Sequence, residues 1–224
     1  MKVLLLGATG RTWRLVLEEL LHRKHQVHVL VRDRARLHVT SDNLNVFEGD
    51  TRSAQSLLDA MRGCDVSINV LNVSRKSDFP WAKLRTPECF LSETMQNLIN
   101  LSGSAGLKKL ILCTAWGVHE TKYHVPLWFR WFIDHSNIGK AYRDHERQEL
   151  RVRESDLNYV IVRPVGLTDS KKPGKVTVTT NNTPKPKLTI SRADVARFLV
   201  NQISDQTFLK QAVTISSAGS NGHA

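Results

Sequence analysis

Four small residues near the start of the chain constrain its fold more than anything else. Lys2 to Leu6 is a short apolar run of strand character, and Gly7-Ala8-Thr9-Gly10 is a turn that only small residues make comfortably. Arg11 to Leu21 then carries apolar residues at helical spacing, and Val27 to Val31 is a second apolar run that ends at Arg32. Strand, glycine turn, helix and strand within about thirty residues form the unit that seats a dinucleotide pyrophosphate on a helix N-terminus. The third glycine of the usual G-x-x-G-x-x-G pattern is replaced by Trp13. In that pattern the third glycine lets helix and sheet lie close. An indole there is therefore expected to hold the helix off the sheet, or to turn toward the pyrophosphate or the solvent.

Further strand-like runs are predicted at 44–48, 66–71, 109–114 and 159–163, with helical patterns at 14–23, 54–62, 87–105 and 138–155 between them. This alternation predicts an α/β, Rossmann-like fold: one domain with a doubly wound parallel sheet and right-handed crossovers. After Pro164 the pattern changes. Two basic turns, 171–175 and 184–187, flank a strand at 176–180, and Ser191 is placed as N-cap of a helix with Asp194 at its third position. This C-terminal portion is assigned to the substrate side. A last strand at 212–215 completes a domain spanning residues 1–215, and 216–224 reads as a disordered tail.

Hydrophobic residues make up 41% of the 224 and charged residues 24%, the balance of a soluble protein with a sizeable core. No signal peptide and no apolar run long enough to span a bilayer is visible, so a cytoplasmic protein without a membrane partner is expected. The three cysteines form no C-x-x-C pair and no histidine stands at ligand spacing from one, which fits a reducing compartment and predicts no metal. The net charge of +11 suits anionic ligands. It is spread along the chain without a nucleic-acid-binding signature, so specific nucleic-acid binding is not expected.

In the phosphate turn, Gly7 permits the bend and Gly10 lets backbone approach the pyrophosphate, while Thr9, Arg11 and Thr12 offer donors. Arg32 stands where an acidic residue would hold an NAD ribose, and Arg36 follows four residues later. The two can clamp a 2′-phosphate, which points to NADP(H). Asp50 and Thr51 end the third strand, where a carboxylate can accept from an adenine amino group; Asp50 reads equally as the N-cap of the helix at 54. Leu71 and Asn72 end the fourth strand, at the carboxyl edge where such sheets bind ligands.

These residues carry a resemblance. Residues 7–12 (GATGRT), 29–36 (VLVRDRAR), 49–51 (GDT), 110–117 (LILCTAWG), 142–164 (YRDHERQELRVRESDLNYVIVRP) and 189–199 (TISRADVARFL) are similar to the atypical short-chain dehydrogenases/reductases of the NmrA-like group, and most to its flavin and biliverdin-IXβ reductase branch. The resemblance implies NADPH along the carboxyl edge of the sheet and hydride transfer to a planar acceptor such as a flavin, a quinone or a tetrapyrrole. It implies Thr114 near the nicotinamide, His145 near the substrate, and Pro164 and Val165 beside the carboxamide. The Tyr-x-x-x-Lys pair of ordinary short-chain dehydrogenases is absent, since Glu146 follows Tyr142 by four, and Ala115 stands where the group usually has a second hydroxyl.

The segment 125–133 contains Trp128 and Trp131. With Trp116 and Tyr142 these could wall a pocket for a planar substrate; a helix packed in the core or a subunit interface is the other reading. A monomer or weak homo-oligomer is expected. Trp13 and Ala115 also leave open a non-redox NADP(H)-sensing regulator, or a redox-neutral isomerase or cyclase acting on a small natural product.

Overall fold

A computed structural model describes residues 1–7, 10–77, 79–170 and 174–218. The elements are β1 (Lys2–Leu6), α1 (Arg11–His22), β2 (Gln26–Val31), β3 (Leu44–Glu48), α2 (Ala54–Met61), β4 (Val66–Asn69), α3 (Phe90–Ala105), β5 (Lys109–Cys113), α4 (Leu127–His135), α5 (Ile138–Arg153), β6 (Asn158–Pro164), β7 (Gly166–Thr168), β8 (Val176–Thr179), β9 (Thr189–Ser191), α6 (Arg192–Asn201) and β10 (Gln211–Ser217). Short 3-10 turns occupy Arg34–Arg36 and His119–Tyr123.

An eight-stranded sheet in the order β3-β2-β1-β4-β5-β6-β10-β8 forms the centre. Its pairings are parallel except β10 with β8. The expected doubly wound α/β, Rossmann-like architecture is therefore present. Strand β1 lies inside the sheet with both faces covered, which is why its sequence is a continuous apolar run. Val3 and Leu5 join one core with α1 and α6, while Leu4 and Leu6 join the opposite core with α2 and α3. Register carries this across the sheet, Val3 pairing with Val27 on β2 and with Val66 on β4.

Helix α6 starts as the sequence predicts. The Ser191 side chain accepts from the Asp194 backbone N–H at 3.0 Å, and its hydroxyl donates to the Asp194 carboxylate at 2.6 Å. Two details differ from expectation. β7 and β9 pair as a separate two-stranded sheet beside the main one. Ser216 and Ser217, expected in the tail, extend β10 because each finds an antiparallel partner on β8, Thr177 and Val176. Residues 219–224 lie outside the described residues.

Trp13 neither faces solvent nor stands apart from the protein. Its side chain is 4% exposed and belongs to the core shared by Val16, Leu17 and Leu20 of α1 and Val195, Ala196 and Leu199 of α6. The helix α1 packs broadly against α6, and the indole fills the core where a glycine would have brought helix and sheet together. Its N–H has no hydrogen-bond partner among the described residues. An unmet buried donor costs about 1–3 kcal/mol.

Candidate active site

The order of the sheet reverses between β1 and β4, and the loops leaving these two strands meet at their carboxyl ends. Gly7 follows β1 with φ +123°, and a Cβ there would lie 2.9 Å from the backbone carbon and oxygen of Val70, just after β4. A side chain at this position would have to push the two loops apart. At Gly10 a Cβ would meet, among the described residues, nothing nearer than the Gly7 carbonyl oxygen at 3.9 Å.

Gly10 is also the N-cap residue of α1. It supplies no side-chain acceptor, and the first turn carries no acidic residue. The backbone N–H groups of Arg11, Thr12 and Trp13 precede the first intrahelical bond, from Arg14 N–H to the Gly10 carbonyl at 3.3 Å. Among the described residues these donors have no partner, and such groups at the positive end of a twelve-residue helix are what an anion needs.

A cavity of about 700 Å³ opens here. Of the residues singled out in the sequence, the structure brings Gly7, Gly10, Arg32, Arg36, Thr51, Leu71 and Asn72 to its wall. Arg32 makes no side-chain hydrogen bond or ion pair among the described residues, whereas the Arg36 Nε donates to Asp33 at 3.1 Å. The Thr51 hydroxyl shares a hydrogen bond with that of Thr94 at 2.9 Å, and the Asn72 side chain accepts from the Val73 backbone at 2.7 Å. These residues suit a dinucleotide: open glycine backbone, a helix N-terminus whose first N–H groups have no partner among the described residues, and an arginine that makes no ion pair among them.

Other predicted residues stand elsewhere. Thr9 lies outside the described residues. Thr12 sits in the first turn of α1, and Arg11 beside it donates to Asp169 at 3.0 Å; the other oxygen of that carboxylate accepts from Arg192 at 2.6 Å. Asp50 does not line the cavity; it accepts from both the backbone and the guanidinium of Arg52, whose hydrogen bond holds its carboxyl below the usual carboxylate range. It is not the cap of α2. That cap is Ser53, whose hydroxyl accepts from the Ser56 N–H at 3.3 Å.

The residues expected near the nicotinamide and the substrate are engaged within the protein. Thr114 is buried, and its hydroxyl donates to the Glu149 carboxylate at 2.7 Å. His145 is buried on α5, its Nδ1 3.3 Å from the Gln148 side-chain oxygen, and burial lowers its pKa. Pro164 accepts from the Trp116 backbone at 3.0 Å, and the Val165 N–H donates to Ile215 at 3.2 Å. The four aromatic residues expected to wall a pocket do not converge. Trp116 is buried and Tyr142 half-buried, joined by a hydrogen bond from the Tyr142 hydroxyl to the Trp116 carbonyl at 3.2 Å, while Trp128 and Trp131 face outward from α4.

Sequence reasoning missed the segment between β4 and α3, which brings Ser74, Arg85 and Thr86 to the cavity, and Phe90 at the start of α3. The cations Arg75, Lys76, Lys83 and Arg85 were its available signal. It also missed the buried Arg163, which donates to Glu149 through Nε at 3.0 Å and to Glu120 through Nη1 at 2.7 Å.

The model of the NAD(P)H-binding family matches residues 7–206, from the glycine turn through α6. The chain belongs to that family. Two chloroplastic proteins of Arabidopsis thaliana, At2g37660 and At2g34460, both described as uncharacterized, are 27% and 24% identical to it; the first match covers 96% of this chain and 69% of the relative, the second 94% and 72%. Among solved structures, a short-chain dehydrogenase/reductase from Veillonella parvula in complex with NADP has a TM-score of 0.78 at 17% identity, covering 97% of this chain and 95% of the other. ChuY, an anaerobilin reductase from Escherichia coli O157:H7, has a TM-score of 0.79 at 21% identity, with 97% of each chain covered. At these identities the likeness is one of fold. Among the described residues no helix is long and apolar enough to cross a membrane, and no group of three or more potential ligands is placed to hold a metal ion.

Proposed function

We propose that this member of the NAD(P)H-binding family is an NADPH-dependent reductase that passes hydride to a planar conjugated acceptor such as a flavin, a quinone or a tetrapyrrole. The observation that carries the reading is Arg32: it follows β2 directly at the cavity wall, without an ion-pair partner among the described residues, where an NAD-selective site would place an acid. NADPH, when bound, supplies the hydride. The α1 N-terminus and the glycine backbone hold the diphosphate, and Arg32 holds the 2′-phosphate, with Arg36 available once it leaves Asp33. Leu71, Val73 and Phe90 give the cavity an apolar side, which supports an acceptor without charge at its reacting centre. ChuY, similar in fold, is described as an anaerobilin reductase, which fits an acceptor of the tetrapyrrole class. The three unpaired cysteines fit a cytoplasmic location.

Calorimetry with NADPH and NADH tests the cofactor, and loss of reduced-nicotinamide absorbance in the presence of FMN or dichlorophenolindophenol tests the reaction. Preference for NADPH with turnover is expected; equal affinity for NADH, or no affinity for either, overturns the reading. A second reading, a non-redox NADP(H) sensor, is favoured by one arrangement. The Thr114 hydroxyl is committed to Glu149, the next residue is Ala115 and His145 is buried, so hydroxyl and imidazole are both engaged inside the protein. Selective NADPH binding without turnover of any planar acceptor would establish the sensor instead.

A further inference from the structure

Of the ten large apolar side chains exposed among the described residues, six lie on two adjoining segments. Phe79 and Trp81 sit between β4 and α3; Tyr123, Leu127, Trp128 and Trp131 sit in α4 and the turn before it. Their exposure runs from 46% at Trp81 to 77% at Tyr123. The segments are pinned together. The Trp81 indole N–H donates to the His135 carbonyl at 3.0 Å, Asn137 donates to the Trp81 carbonyl at 2.7 Å, and the rings of Trp81 and Phe132 meet edge-on at 5.7 Å.

Cations accompany the rings. Residues 75–85 carry Arg75, Lys76, Lys83 and Arg85 against a single acid, Asp78, and Lys76, Lys83 and Arg85 are exposed. On the α4 side the Arg130 guanidinium lies 5.8 Å from the centre of the Tyr123 ring, and the acid of α4, Asp134, is paired with Lys122 at 2.7 Å, as Glu120 of the preceding turn is with Arg163.

We propose that this aromatic and basic face seats the protein on the surface of an anionic lipid bilayer. Indole and phenol rings are the groups that settle at headgroup depth, and a short helix with an apolar outer side lies in that plane without crossing it. Lysine and arginine beside such a helix draw it to anionic lipid, and the net charge of +11 reinforces them. Charge argues against a second copy of the chain here, because two basic faces would meet. A nucleic-acid strand would need rings and cations interleaved along one track, whereas here the exposed cations gather on 75–85 and most of the rings on 123–131. Expecting no membrane partner followed from span length alone, which says nothing of a surface-bound protein. The inference does not depend on the reductase reading, although Ser74, Arg85 and Thr86 of the same segment line the cavity and would set its mouth beside the bilayer.

Co-sedimentation of the full chain with vesicles tests it, comparing phosphatidylcholine alone with an equal mixture of phosphatidylcholine and phosphatidylglycerol. The expected result is a preference of about tenfold or more for the anionic vesicles. It should come with a blue shift of tryptophan emission, weaken in high salt and disappear in the Trp128→Ser/Trp131→Ser variant, with circular dichroism verifying the fold. A second variant, Lys76→Glu/Lys83→Glu, should lose the preference while keeping its aromatic residues. Failure of the native chain to partition overturns the proposal, as does undiminished binding by the tryptophan variant. It is equally overturned if light scattering finds a dimer that the tryptophan variant abolishes, or if a single-stranded oligonucleotide binds where the vesicles do not.

Discussion

The hydroxyl of Thr114, at the carboxyl end of β5, donates to the Glu149 carboxylate of α5 at 2.7 Å, and the same carboxylate receives the guanidinium of Arg163 from β6. Arg163 is 1% and Glu149 0% exposed, so the ion pair is sealed in the protein. Removing one partner of a buried pair leaves an uncompensated charge and costs about 3–5 kcal/mol. Glu149→Gln should therefore lower unfolding free energy by that amount in urea titrations. Thr114→Val removes only one hydrogen bond to a charged acceptor, about 1.5–3 kcal/mol. If Thr114→Val proves the more damaging, the ion pair does not dominate this network.

Arg32 and Arg36 differ in what they must give up to meet a 2′-phosphate. Arg32 has no partner among the described residues, while Arg36 must leave Asp33. Arg32→Ala should weaken NADPH binding about ten- to hundredfold, as expected for a lost charged hydrogen bond. Binding of NADH should change little, and Arg36→Ala should have the smaller effect on NADPH. Calorimetric titration of the three proteins with both nucleotides reads this directly; parallel losses for NADH and NADPH would place Arg32 away from the 2′-phosphate.

What was legible in the sequence was what local chemistry determines. The turn at Gly7 and Gly10, the doubly buried β1 and the Ser191 cap each leave a pattern within a few residues of where they act. The positions of Trp13, Thr114 and His145 depend on partners distant in sequence: α6 for the indole, α5 for the hydroxyl, and burial of the α5 inner face for the imidazole. Asp50 illustrates the limit at short range. One of its two readings, the cap of α2, falls to Ser53, which stands one turn closer to the helix, and the Asp50 carboxylate pairs with Arg52 instead.

The burial of Trp13 changes what its removal should do. From sequence, Trp13→Gly is expected to tighten NADPH binding by letting α1 approach the sheet. In the fold the indole is a core side chain, and truncating a buried tryptophan costs about 3–5 kcal/mol. Trp13→Ala should lower stability by that amount in urea, and Trp13→Gly by about 1 kcal/mol more through helix propensity. A variant as stable as the native chain would mean that the indole is not packed against α6.

Glu120 gives the protein a specific acid sensitivity. Burial alone would raise its carboxyl, but hydrogen bonds from Arg163 and the arginine's charge outweigh this and hold the pKa down at about 2, against an ordinary 4.5. A carboxyl depressed by folding contributes stability that is complete above the unfolded value and is lost as pH falls toward the folded one. Its share of the stability should therefore decline between pH 4.5 and about 2. Thermal unfolding of native protein and Glu120→Gln across that window tests this. The native melting temperature should fall more steeply, and the two curves should converge at the acid end. Parallel curves would mean that Glu120 titrates alike in the folded and unfolded chains, and that its contacts with Arg163 do not persist in solution.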